Sequence, residues 1–123
     1  MKHTILMVVD DVKLARSFSK HVLQRHPEWR IITARSYEEA VSITKFTKPD
    51  VALIRLILPD GNGLDLMREL KLKFPHLSII LISHSPSDDL LAEVHKLGKC
   101  NAVGKPGDIK NIISEIENME QCA

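Results

Sequence analysis

Five short apolar runs, each followed by an amphipathic stretch, constrain the fold of this chain more than any other feature. Ile5-Leu6-Met7-Val8-Val9 is continuously apolar rather than apolar at every second residue, the pattern of a strand buried on both faces of a parallel sheet. Trp29 to Ala34, Val51 to Leu58, Ser78 to Ile82 and Asn101 to Gly104 read as four more strands. The stretches between and after them carry residues that recur at helical spacing. They are Val12, Ala15, Phe18, Val22 and Leu23; Ala40, Val41, Thr44 and Lys45; Leu64, Met67, Leu70 and Phe74; Leu90, Leu91, Val94 and Leu97; and Ile109, Ile112, Ile113 and Ile116.

The punctuation agrees with these elements. Asp10-Asp11 end the first run, and Ser36-x-x-Glu39 has the form of a capping box, in which hydroxyl and carboxylate each satisfy a backbone donor. Pro59-Asp60-Gly61-Asn62-Gly63 is a turn. Ser85-Pro86-Ser87-Asp88 starts a helix with Pro in its first turn, and Gly98 caps that helix. Right-handed crossovers then give an α/β parallel sheet with helices on both faces and any site outside the strands' carboxyl ends.

A length of 123 residues predicts one domain over 1–123, with its core at about 4–119 and a tail that frays from Glu117. Hydrophobic residues at 44% and charged residues at 27% exclude disordered and membrane classes. Lys plus Arg at 17 against Asp plus Glu at 16 gives a formal charge of +1, which offers no support for direct nucleic-acid contact. Cys100 and Cys122 form no CxxC pair and read as reduced thiols, one in the core and one in the tail. The apolar run at the N-terminus is too short for a signal peptide and none approaches the roughly 20 residues of a membrane span. A cytoplasmic protein is expected.

The topology picks out the polar residues that follow each strand: Asp10 and Asp11, Arg55 at the end of the third, Ser83 and His84, and Lys105. Two adjacent carboxylates at a strand terminus hold a hard divalent cation or a basic side chain, or else cap the following helix. Ser83 and Lys105 taken singly fit plain loop roles, and His84 lacks a second ligand at metal spacing. No phosphate-cradling loop and no Ser-His-Asp or Cys-His signature is legible.

Taken in register, Asp10-Asp11, Pro49-Asp50-Val51, Leu58-Pro59-Asp60-Gly61-Asn62-Gly63, Ser83 and Lys105-Pro106 resemble the receiver domain of two-component response regulators from Thr4 to about Met119. The resemblance implies a flavodoxin-like, doubly wound sheet of five parallel strands in the order 2-1-3-4-5 with five helices. In that family the acidic pair binds Mg²⁺, a third-strand Asp accepts a phosphoryl group from a phosphohistidine, and a hydroxyl and a lysine contact that group. Asp10 and Asp11 match the pair, Ser83 the hydroxyl and Lys105 the lysine. Arg55 stands where the acceptor Asp belongs, and Ala102 stands where the family has its switch aromatic.

A guanidinium cannot form an acyl phosphate and stays protonated at physiological pH. Facing Asp10 and Asp11, it is expected to replace the cation through bidentate hydrogen bonds, so that Mg²⁺ binds weakly or not at all and no cofactor is needed, the alternative being an arginine that extends into solvent at the strand end. The expected function is a degenerate, non-enzymatic receiver. It would bind a histidine kinase, another receiver or an output domain through its last helices and fifth strand, with no membrane contact and with a homodimer left open. One alternative keeps phosphoryl transfer on Asp10, Asp11 or Asp60. Another is the regulatory domain of a transcription regulator whose DNA-binding part is absent from this chain, and an unrelated small-molecule binder of the same fold is a third.

Overall fold

The computed structural model describes residues 3–98 and 100–119. The order of elements is β1 (Thr4–Val8), α1 (Val12–Arg25), β2 (Arg30–Ala34), α2 (Tyr37–Ile43), β3 (Val51–Arg55), β4 (Ile57–Leu58), β5 (Gly61–Asn62), α3 (Gly63–Lys73), β6 (Ser78–Ile82), α4 (Asp88–Lys96), β7 (Asn101–Gly104) and α5 (Ile109–Met119). Five strands pair in parallel in the order β2-β1-β3-β6-β7, the expected 2-1-3-4-5 arrangement of the main sheet. The order reverses between β1 and β3, so a crevice opens at their carboxyl ends.

Side chains alternate across the sheet and divide the core into two layers. Ile5, Met7, Val51, Leu53, Ile80 and Ile82 pack with Phe18 and Val22 of α1 and Ile112, Ile113 and Ile116 of α5. Leu6, Val8, Ala52, Ile54, Ile79 and Leu81 pack with Ala40 of α2, Leu66, Met67 and Leu70 of α3 and Val94 of α4. Continuous apolar runs were needed because both faces are covered. The first helix is tied to the last where Glu117 accepts from Arg25 Nη2 at 3.1 Å and lies 2.6 Å from His26 Nε2, while the His26 ring stacks on Trp29.

Several boundaries differ from expectation. The run Val51 to Leu58 is not one strand: β3 stops at Arg55, and Ile57-Leu58 turn back antiparallel to Gly61-Asn62. Helix α2 ends at Ile43, with Thr44 as its buried C-cap and Lys45 beyond it. Ser87 is the N-cap of α4, so Pro86 precedes that helix instead of lying in its first turn. Leu91 stays outside the core that Val94, Leu90 and Leu97 join. Val12 and Leu23, expected on the inner face of α1, are 47% and 57% exposed.

The end of α5 also differs, because helix continues through Glu117 to Met119. Cys100 is half-buried, and Cys122 lies outside the described residues. No helix among the described residues is long and apolar enough to cross a membrane.

Candidate functional site at the carboxyl ends of β1 and β3

Asp10 and Asp11 follow the buried Val9, whose N–H is held by the Ala34 carbonyl at 3.0 Å. Asp11 takes extended backbone angles and caps α1, its Oδ1 accepting from the N–H groups of Lys13 at 2.9 Å and Leu14 at 3.3 Å. Arg55 is the last residue of β3, in register with Ile82. Its Nη1 lies 3.8 Å from Asp10 Oδ1 and 3.9 Å from Asp11 Oδ2. The topology thus brings the cation and the acidic pair together.

These contacts are not the bidentate hydrogen bonds expected, since both exceed the 2.7–3.2 Å range of an N–H···O bond. One oxygen of Asp11 is committed to the helix cap, leaving only the other for the guanidinium. Both aspartate side chains are 45% exposed, against 26% for Arg55, so water competes for them. Each pair contributes about 0.2–1 kcal/mol in such surroundings.

The position of Arg55 is fixed by close backbone packing. Leu56 N–H donates to the Ile82 carbonyl at 2.9 Å, and Gly63 N–H donates to the Leu56 carbonyl at 2.6 Å. A Cβ at Gly63 would lie 2.1 Å from the Arg55 carbonyl oxygen, so only glycine lets α3 start this near the end of β3.

Ser83, following β6, is buried, and its N–H donates to the Gly104 carbonyl at 2.9 Å. Arg55, Ser83, the exposed His84 and Pro106 line one cavity of about 280 Å³. Lys105 is not brought into it. The lysine is exposed and lines a separate cavity of about 230 Å³ with Asp108, Asn111 and Glu115. The strand ends at Gly104, and Pro106, in the turn that follows, lines the Arg55 cavity in place of the lysine. Ala102 sits in β7, half-buried against the layer built by α1 and α5.

Asp60 serves another element. Its carboxylate accepts from Tyr37 N–H at 2.7 Å and Glu38 N–H at 3.0 Å, while Ser36 Oγ accepts from Glu39 N–H, so Asp60 shares the capping of α2. The backbone N–H of Glu38, then that of Tyr37, holds the Asp60 carboxyl below its ordinary value.

The Mg²⁺ implied by the fold does not fit these residues. One oxygen of Asp11 is taken, the third-strand carboxylate is missing, and a permanent cation lies within 4 Å of both remaining acids. Among the described residues no three His, Cys, Asp or Glu are grouped to hold a metal ion.

A crevice at the switch point of a 2-1-3-4-5 sheet, with an acidic pair after the first strand and a buried hydroxyl after the fourth, defines a receiver. Residues 6–117 match the response regulator receiver domain family, and the chain belongs to it. It is 32% identical over 108 residues to the DNA-binding transcriptional activator DevR/DosR of Mycobacterium tuberculosis, covering 87% of this chain and 49% of that protein. It is 22% identical over 112 residues to the chemotaxis protein CheY of Listeria monocytogenes, covering 91% of this chain and 94% of that one. Among solved structures, the non-phosphorylated HemR receiver domain from Leptospira biflexa superposes with a TM-score of 0.84 at 25% identity, covering 95% and 93% of the two chains. The chain spans about half the length of the first curated relatives it matches.

Proposed function

We propose that this receiver acts in two-component signalling as a protein interaction module that needs no phosphoryl transfer. The observation that carries the reading is the Arg55 guanidinium, 3.8 and 3.9 Å from the acidic pair, at the position where the family places its acceptor aspartate. Transfer from a phosphohistidine breaks an N–P bond and forms an O–P bond on a carboxylate. Arg55 offers no oxygen, and its charge persists at physiological pH. The same charge offsets one of the two negative charges of Asp10 and Asp11 from within, where the family binds a cation. The protein is then non-enzymatic, and its activity consists of docking in the cytoplasm to a histidine kinase, another receiver or an output domain.

The surface of α4, β7 and α5 is the proposed contact for these partners, with a homodimer as one form of it. Neither a membrane nor nucleic acid has a role for this segment. The half-length coverage of a transcriptional activator favours a second reading, in which the segment is the regulatory part of a longer regulator. Retained phosphoryl transfer is disfavoured, because Asp11 and Asp60 are engaged in helix capping. Asp10 is the remaining candidate.

The test is an amide NMR titration with Mg²⁺ plus beryllofluoride, and with acetyl phosphate followed by intact-mass analysis. Unchanged spectra and mass are expected. Saturable shifts confined to residues near Asp10 and Ser83, or a gain of one phosphoryl group, would overturn the proposal.

A further inference from the structure

A groove of about 800 Å³ runs between α1 and the edge strand β2 and meets the candidate site at one end, where Asp10 and Asp11 line it. Strand β2 pairs only with β1, so the helical layer stops at α1 and leaves Thr33 exposed at the sheet edge. Val12 and Leu23 mark the two ends of the groove along α1, 47% and 57% exposed. Eleven residues at 100° each bring them onto one face, about 16 Å apart. Between them the groove is lined by the small side chains of Ala15 and Ser19, which leave room for a close approach.

The charges are divided along the groove. Asp10 and Asp11 lie at one end, facing Arg55, and the other charged residues of the groove are Arg16, Lys20 and Arg35, all exposed. Among the described residues none of these three cations is held in an ion pair.

We infer that this groove docks an acidic amphipathic helix of a partner protein, seating apolar residues on Val12 and Leu23 and placing carboxylates against Arg16, Lys20 and Arg35. A helix laid beside α1 would extend the helical layer over β2, and apolar anchors spaced over three turns are what a helix in a groove supplies. Charge decides against a second copy of the same face, because symmetric pairing would set these cations against each other. Shape decides against a bilayer, whose flat surface leaves the floor between Val12 and Leu23 unfilled. The inference is independent of whether Arg55 excludes phosphorylation.

The probe is a fluorescein-labelled, hydrocarbon-stapled helix of about 18 residues with a Leu stripe flanked by Glu, titrated by anisotropy against the full chain. Its match carries Lys in place of Glu. The Glu helix should bind saturably and at least about tenfold more tightly than the Lys helix, with amide shifts over residues 12–23 and 33–35. Arg16→Glu combined with Lys20→Glu should reverse the preference, and Leu23→Asp should weaken binding at least about fivefold. These positions are exposed, and circular dichroism checks that each variant is folded.

Equal binding of the two helices, no saturable binding, or shifts centred on α4 and α5 would overturn the inference. Co-sedimentation with phosphatidylserine vesicles without helix binding would overturn it in favour of a membrane. A sedimenting dimer abolished by Leu23→Asp would do so in favour of a second copy.

Discussion

Replacing Arg55 with Asp inverts the charge of the crevice while leaving the packing beneath it in place. The wild-type guanidinium makes two solvated ion pairs at 3.8 and 3.9 Å, together about 1 kcal/mol at the midpoint of the range for partly exposed pairs. Arg55→Asp removes both and adds a third carboxylate near the first two, whose repulsion is of similar size, so the variant should lose about 2 kcal/mol in metal-free buffer. For a domain of this length that is roughly 8 °C in Tm. A Mg²⁺ site with a Kd of about 1 mM would return about 1.4 kcal/mol at about 10 mM Mg²⁺, or roughly 5–6 °C.

Thermal unfolding followed by circular dichroism, with and without Mg²⁺, reads both quantities. Trp29 is a poor reporter of binding here, because it precedes β2 while the crevice lies beyond the strands' other ends, about 16 Å away along five strand residues. The wild-type protein should be insensitive to Mg²⁺ and Arg55→Ala should lie between the two. A wild-type Tm that rises with Mg²⁺ as far as that of Arg55→Asp would show that the guanidinium does not stand in for the metal. An Arg55→Asp protein that folds yet ignores Mg²⁺ would show that the acidic pair does not converge on residue 55.

Other substitutions test the supporting structure. Gly63→Ala should cost about 3 kcal/mol or more, read by urea denaturation, because its Cβ meets backbone at 2.1 Å and neither α3 nor β3 can shift freely. Ile113→Ala, at a fully buried site of α5, should cost about 2–5 kcal/mol by the same assay. Asp60, with its folded pKa lowered by the Glu38 and Tyr37 N–H groups, contributes stability that is present above the ordinary aspartate pKa and lost as pH falls through the folded value. Asp60→Ala should therefore flatten the fall of Tm below about pH 4, and an unchanged acid limb would show that this cap does not contribute.

The parallel, two-faced sheet and the loops that bring Arg55 to the acids follow from patterns visible in the chain, and the strand order from the family resemblance. Uninterrupted apolar runs need cover on two faces, and alternation with helices fixes which loops share an edge. Where expectation failed, the missing information was tertiary. Gly63 packs on the Arg55 carbonyl where β3 ends, a contact that no local propensity encodes. The apolar Val12 and Leu23 carry the helical period, but α1 lies at the end of its layer, so that period overstates burial. Lys105 and Pro106 are adjacent in sequence and face different cavities, which a motif spelled in one dimension does not distinguish. Glu117 reaches Arg25 and His26 across more than ninety positions, and the composition of neither helix announced it.

A magnesium ion can be chelated, exchanged or displaced, but a guanidinium tethered to the end of a strand leaves only when the chain is degraded. Under the reading proposed here, chelators and swings in ionic composition cannot reset the crevice. How much of the polypeptide is present, set by synthesis and turnover, then becomes the quantity through which a cell adjusts its output.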